Sequence, residues 1–230
     1  MIALTDLERE ALALSLRVAV WAVAAGLPAA LAVAWVLARK DFPGKTLLNG
    51  IVHLPLVLPP VVVGYLLLLA FGRNGPVGGW LNDTFGITIA FTWQGAALAA
   101  AVMAFPLMVR AIHLSLEAVD TRLESAARTL GAGRIQVFAT VTLPLTAPGL
   151  LAGAILGFAR SLGEFGATIT FVSNIPGETR TLPLALYSLV QQPGGETGAL
   201  RIAVISVVLA LAALAGSELL ARRLKARIGG

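Results

Sequence analysis

Residues 119–148, VDTRLESAARTLGAGRIQVFATVTLPLTAP, form a polar, arginine-rich island between two long apolar runs. Thr121 with Glu124 reads as a capping box, hydroxyl and carboxylate satisfying orphan N–H groups at a helix start. Ala126 and Ala127 then give that helix a small, close-packing surface, and Gly131 suits a left-handed helix end. Downstream, Ile135, Val137, Phe138 and Val141 recur at roughly helical spacing from Arg134 to Thr142. The island therefore reads as two short helices about a Gly-Ala-Gly hinge. An element of that shape can dock as a knob in a partner's groove. The plainer alternative is a solvated surface loop held by its own caps.

Outside the island the chain is too apolar for a soluble domain: 57% hydrophobic and 13% charged over 230 residues, with a mean hydropathy of +0.86. Charge-free runs at 18–38, 47–71, 87–109, 135–159 and 202–217 are each near the length that crosses the hydrocarbon, about 20 residues as a helix. The last lengthens past Glu218 to Leu220 by snorkelling. These runs predict an all-α membrane protein with five spanning helices, one domain over residues 1–230, a cytoplasmic loop at about 113–142 and outer loops at about 72–86 and 172–200.

Orientation follows from the basic residues. Arg39, Lys40, Lys45, Arg110, Arg122, Arg128, Arg134, Arg222, Arg223, Lys225 and Arg227 fall in alternate connections, against Arg9, Arg17, Arg73, Arg180 and Arg201 on the other side. The positive-inside bias puts the first group in the cytoplasm, so the N-terminus is outside and the C-terminus inside. The net charge of +5 is thus a topology signal rather than a nucleic-acid footprint. Asp6, Glu8 and Glu10 stand where a cleavable signal peptide would carry basic residues. With no cysteine, disulfides and thiol-ligated metals are excluded.

Within the spans, Pro55, Pro59, Pro60 and Gly64 kink the second helix, which a membrane tolerates where protein or a cavity satisfies the freed carbonyls. His53, near the cytoplasmic interface, reads as a packing residue rather than a proton relay. Residues 72–86 read as a glycine-rich outer loop with an interfacial Trp80. Gly149, Gly153 and Gly157 share one face of the fourth helix and permit close approach of a neighbour. In the outer segment 174–198, Leu182–Val190 is long enough for a short helix over the outer mouth and too short to span. No internal repeat is visible, which argues against inverted halves.

Arg160 and Glu164, i and i+4 on one helix face, are the ionisable residues deepest in apolar surroundings and therefore pair away from lipid. Arg160 can also lend positive potential to a passing anion, with Ser161, Thr168 and Thr170 as hydroxyl donors. The alternative is an ion pair that fixes helix register. Two apparent nucleotide motifs fail. Gly44-Lys45-Thr46 has Arg39 where a phosphate loop needs its leading glycine, and Gly131-Ala132-Gly133 meets Gln136 where a third glycine belongs. Catalytic, metal and cofactor sites are accordingly not expected, and ATP hydrolysis belongs to another chain.

The island resembles the cytoplasmic coupling loop of ABC-transporter permeases, whose pattern is E-A-A, three residues, Gly, nine residues, a branched aliphatic, one residue, Leu-Pro. Gly131, Val141 and Leu143-Pro144 match in register; the acid is displaced, with Ser125 at the aligned place and Glu124 one residue early. The blocks FPGK (42–45), HLPLVLPPVVVGYLLL (53–68), FPLMVRAI (105–112), LESAARTLGAG (123–133), ARSLGEFGATITF (159–171) and NIPGETRTLPLALY (174–187) are similar to permeases of bacterial molybdate ABC transporters. That resemblance implies a multi-pass inner-membrane subunit in a homodimeric pore. It also implies two ATP-binding cassette subunits docked on Glu124, Ala126, Ala127, Gly131 and Arg134, and a periplasmic binding protein delivering molybdate or tungstate. Three alternatives stay open: a sulfate or thiosulfate permease, an ion-coupled secondary transporter, and a purely structural membrane subunit.

Overall fold

Thr5 starts the fold. Its hydroxyl accepts from the Glu8 N–H at 3.3 Å while the Glu8 carboxylate accepts from the Thr5 N–H at 2.8 Å, a reciprocal cap that opens α1 (Asp6–Arg39). A computed structural model describes residues 4–228, and all regular structure among them is helical. The 34 residues of α1 run about 51 Å, longer than the ~30 Å hydrocarbon layer. The helix thus begins well before the charge-free run at residue 18, because the cap and a 2.8 Å Glu8–Arg201 ion pair secure its polar first turns.

The expected second span is broken rather than kinked. α2 (Lys45–Val57) and α3 (Pro60–Phe71) meet at 115°. Two adjacent prolines cause the break, since neither Pro59 nor Pro60 has an N–H to continue the ladder of α2, and Pro60 suits the first position of a new helix. The 72–86 segment, expected as loop, contains α4 (Pro76–Phe85), opened by Pro76 and closed at Gly86 with φ +67°. Trp80 packs edge-on against Phe85 within it, ring centroids 5.5 Å apart.

α5 (Trp93–Ala118) is the central helix, with more than half of its apolar stretch buried inside the protein, whereas most of that of α1 is not. Small residues set the seam with α1: Ala22 clusters with Ala96, Ala99 and Ala100, and Ala30 and Ala34 with Ala104. Lipid supplies no hydrophobic drive between helices, so close van der Waals contact of small residues carries this packing.

After α6 (Thr121–Thr129), α7 (Arg134–Val137) runs through a π-helical segment, Phe138–Thr142, into α8 (Leu143–Leu162). The expected second short helix of the island is therefore the foot of one apolar element, Arg134–Leu162. Pro144 has no N–H for the Thr140 carbonyl and its ring crowds that turn, which widens until the Leu143 N–H reaches the Phe138 carbonyl. The glycine face of α8 lies on α5: a side chain at Gly149 would strike Ser115, and one at Gly157 would come within 2.8 Å of Met108 Sδ.

α9 (Gly166–Val172), α10 (Leu182–Val190) and α11 (Glu196–Ile228) complete the chain, α10 with the bounds its sequence suggested. The side chains of the C-terminal basic group from Arg222 to Arg227, and of the 218–220 extension, lie outside the described residues. Among the described residues four helices are long and apolar enough to cross a membrane, or five if the broken α2–α3 pair is one span.

Candidate functional site

Asp120 caps α6. Its carboxylate accepts from the Arg122 N–H at 2.8 Å, and Thr121 is already the first helical residue, so the expected Thr121–Glu124 box does not form. Aspartate at the preceding position competes better for the cap than threonine. Glu124 turns inward instead, leaving its side chain only 9% exposed. Its Oε1 accepts from Arg39 Nη2 and from the Thr142 hydroxyl, each at 2.9 Å, and its Oε2 faces Arg128 Nη2 at 3.5 Å. The far end of α6 is as expected: Gly131 has φ +90°, its N–H donates to the Arg128 carbonyl, and the Ala132 N–H reaches back to Ala127. That paired bonding is a Schellman stop, which glycine enters without a Cβ clash.

Glu124 lies in a cleft of about 440 Å³ between α6, the end of α1 and the π segment. Arg39, Lys40, Arg128 and Arg134 line it with Glu124 as the lone carboxylate, and Trp35 and Phe138 close its apolar side. The opposite face of the island is apolar and uncovered. Ala126 is exposed and Ala127 half-buried, while Leu130 and Ile135 are 89% and 86% exposed. Sequence reasoning named Ile135 only for its periodicity and missed Leu130, whose signal is a large aliphatic residue just before the helix-ending glycine. It also missed Arg39 and Thr142 as partners of Glu124.

The second set of candidates gathers at a helix break. α8 stops at Leu162 and α9 begins at Gly166, so Arg160 and Glu164 do not share one helix as expected; the pair crosses the gap at 2.6 Å. At the gap Gly163 ends α8, and Glu164 Oε1 accepts from the Ala167 N–H at 2.8 Å, satisfying a free donor in the first turn of α9. Glu164 is buried and Arg160 partly exposed. The Ser161 and Thr170 hydroxyls donate to the Gly157 and Gly166 carbonyls at 2.8 and 3.0 Å, within their own helices, and Thr168 is buried. The break faces the other broken span: Gly64 of α3 sits on the Ala167 backbone, and Gly166 sits beside Pro60.

Residues 26–226 match the family model described as binding-protein-dependent transport system inner membrane component. The molybdenum transport system permease protein ModB of Escherichia coli (strain K12) is 64% identical over 226 residues, 98% of this chain and 99% of the relative. Its counterpart in Haemophilus influenzae is 58% identical over 223 residues, 97% of each chain. Sulfate transport system permease protein CysT of Escherichia coli (strain K12) is more distant, 43% identical over 70% of this chain and 58% of its own length. Among solved structures, a bacterial ABC transporter involved in the import of the acidic polysaccharide alginate shares the fold at TM-score 0.76 and 17% identity, over 96% of this chain and 80% of that one. The chain is a multi-pass inner-membrane protein and belongs to the binding-protein-dependent transport system inner membrane component family.

Proposed function

We propose that the chain is the permease subunit of an ATP-driven importer that moves molybdate, or the like-shaped tungstate, across the bacterial inner membrane. The observation that carries this reading is the 64% identity to a molybdenum permease over 98% of the chain. Family membership favours it over an ion-coupled secondary transporter, and the greater distance of the sulfate permease favours molybdate over sulfate. The chain is non-catalytic and needs no cofactor; two ATP-binding cassette subunits hydrolyse ATP. It pairs with a second copy to form the pore, and a periplasmic molybdate-binding protein delivers the anion.

In this reading the N-terminus is outside and α6 faces the cytoplasm, where Leu123, Ala126, Leu130 and Ile135 offer the ATPase an apolar knob. Ala127, Gly131 and Arg134 shape it. Closure of the ATPase pair moves the knob and drives alternating access. At the α8–α9 break the Ser161 and Thr170 hydroxyls support the pathway wall rather than line it, because both already donate inside their own helices. The test is copurification from the native membrane. Recovery of an ATPase, a periplasmic binding protein and bound molybdate is expected. A binding protein loaded with sulfate would reassign the substrate, and a chain that purifies without an ATPase would sink the importer reading.

A further inference from the structure

The carboxylate of Glu124 joins three elements at one point. Arg39 is the last residue of α1, Arg128 lies one turn along α6, and Thr142 ends the π segment at the foot of α8. Both strong contacts are 2.9 Å long, and Glu124 and Arg39 expose only 9% and 14% of their side chains. The carboxylate faces the arginine-lined cleft, away from the exposed Leu130 side where a protein would dock. The contact at Thr142 falls where the helix is already irregular: the π turn is followed by Pro144 and Pro148, and the Thr142 carbonyl accepts the Thr146 hydroxyl. Such a turn deforms more readily than regular α-helix on either side of it. Backbone packing of α6 is closer to α7 and the π segment than to α1, to which the Arg39–Glu124 ion pair joins it.

We propose that Glu124 is a positioning residue and not an ATPase contact: a buried latch that passes displacement of α6 to the ends of α1 and α8 together. The inference rests on the reading of α6 as the dock. A charge-assisted buried bond resists separation, so the two spans follow the island instead of letting it slide.

The test uses the whole transporter, this chain with its ATPase and binding protein, reconstituted in lipid vesicles. ATPase copurification and molybdate moved per ATP hydrolysed are both measured. Glu124→Gln keeps the shape and removes the charge; it is expected to copurify normally while molybdate per ATP falls about tenfold, the scale of one charged hydrogen bond. Arg39→Gln is expected to give the same loss, and the double variant no further loss, because each substitution opens the same latch. A merely structural role would lower hydrolysis and transport in proportion and leave the ratio unchanged, which would overturn the proposal. Loss of ATPase copurification in Glu124→Gln at normal folding would overturn it too, by making Glu124 a dock contact. Should Arg39→Gln fail to assemble, Arg39→Lys keeps the charge with a shorter reach, and an unchanged ratio in both Arg39→Lys and Glu124→Gln counts against the latch. The dock itself is judged separately by Leu130→Asp: normal copurification there removes the docking reading, whatever Glu124 does.

Discussion

Glu124 and Glu164 are both buried carboxylates facing an arginine, and they differ in how far apart in the chain their partners lie. Glu164 holds Arg160 four residues before it and the Ala167 N–H three residues after it. Glu124 holds Arg39, 85 residues away, and Thr142, 18 residues away. The local set can secure only its own break between α8 and α9. The long-range set joins separate elements, so motion at α6 reaches two others. Similar chemistry gives a staple in one place and a transmission in the other, and the sequence separation of the partners decides which.

Breaking the local staple is expected to have the largest effect on folding. Arg160→Ala leaves the buried Glu164 unpaired and costs about 3 kcal/mol, read as a lowered Tm in detergent. Arg160→Ala with Glu164→Gln removes the stranded charge and keeps an acceptor for the Ala167 N–H, so stability recovers, and with it molybdate uptake per assembled complex. Uptake that stays low in a well-folded double variant would put Arg160 on the anion's path and undo the contrast between the two carboxylates.

The island's surface sharpens the comparison from the other side. Leu130→Asp removes an exposed apolar anchor worth about 2 kcal/mol, so ATPase affinity drops about 30-fold with insertion and Tm unchanged. Titration of the purified ATPase against the chain in lipid discs measures it, and unaltered affinity would place the dock elsewhere. Smaller is the effect of Gly131→Val, where a β-branched residue enters a left-handed position at about 1–2 kcal/mol. Asparagine, which tolerates that conformation, is expected to assemble nearly as glycine does. Equal behaviour of the two variants would mean that the Schellman stop does not shape the dock.

These contrasts also explain what was legible in the sequence. Gly149, Gly153 and Gly157, Leu182–Val190 and the left-handed Gly131 were readable because each depends on spacing within a few residues. Arg160 and Glu164 were readable as a pair for the same reason, though not as a pair across a break, since the sequence between them does not show that the Ala167 N–H takes the Glu164 carboxylate instead of a helical carbonyl. The proline pair at 59–60 announced a disturbance but not its 115° angle, which depends on how α3 packs against α9. Glu124 was misread as a cap because its true partners come from α1 and the foot of α8, and no local rule brings those together.

Uptake in whole cells decides whether the chain imports molybdate with power delivered through α6. Cells lacking their own molybdate permease receive this chain alone, with its ATPase, or with ATPase and binding protein, and radiolabelled molybdate is followed with and without excess sulfate. Uptake only in the complete set, unaffected by sulfate, is the predicted result. Uptake by the chain alone would rule out ATP-driven import, and its abolition by sulfate would rule out molybdate as the preferred anion.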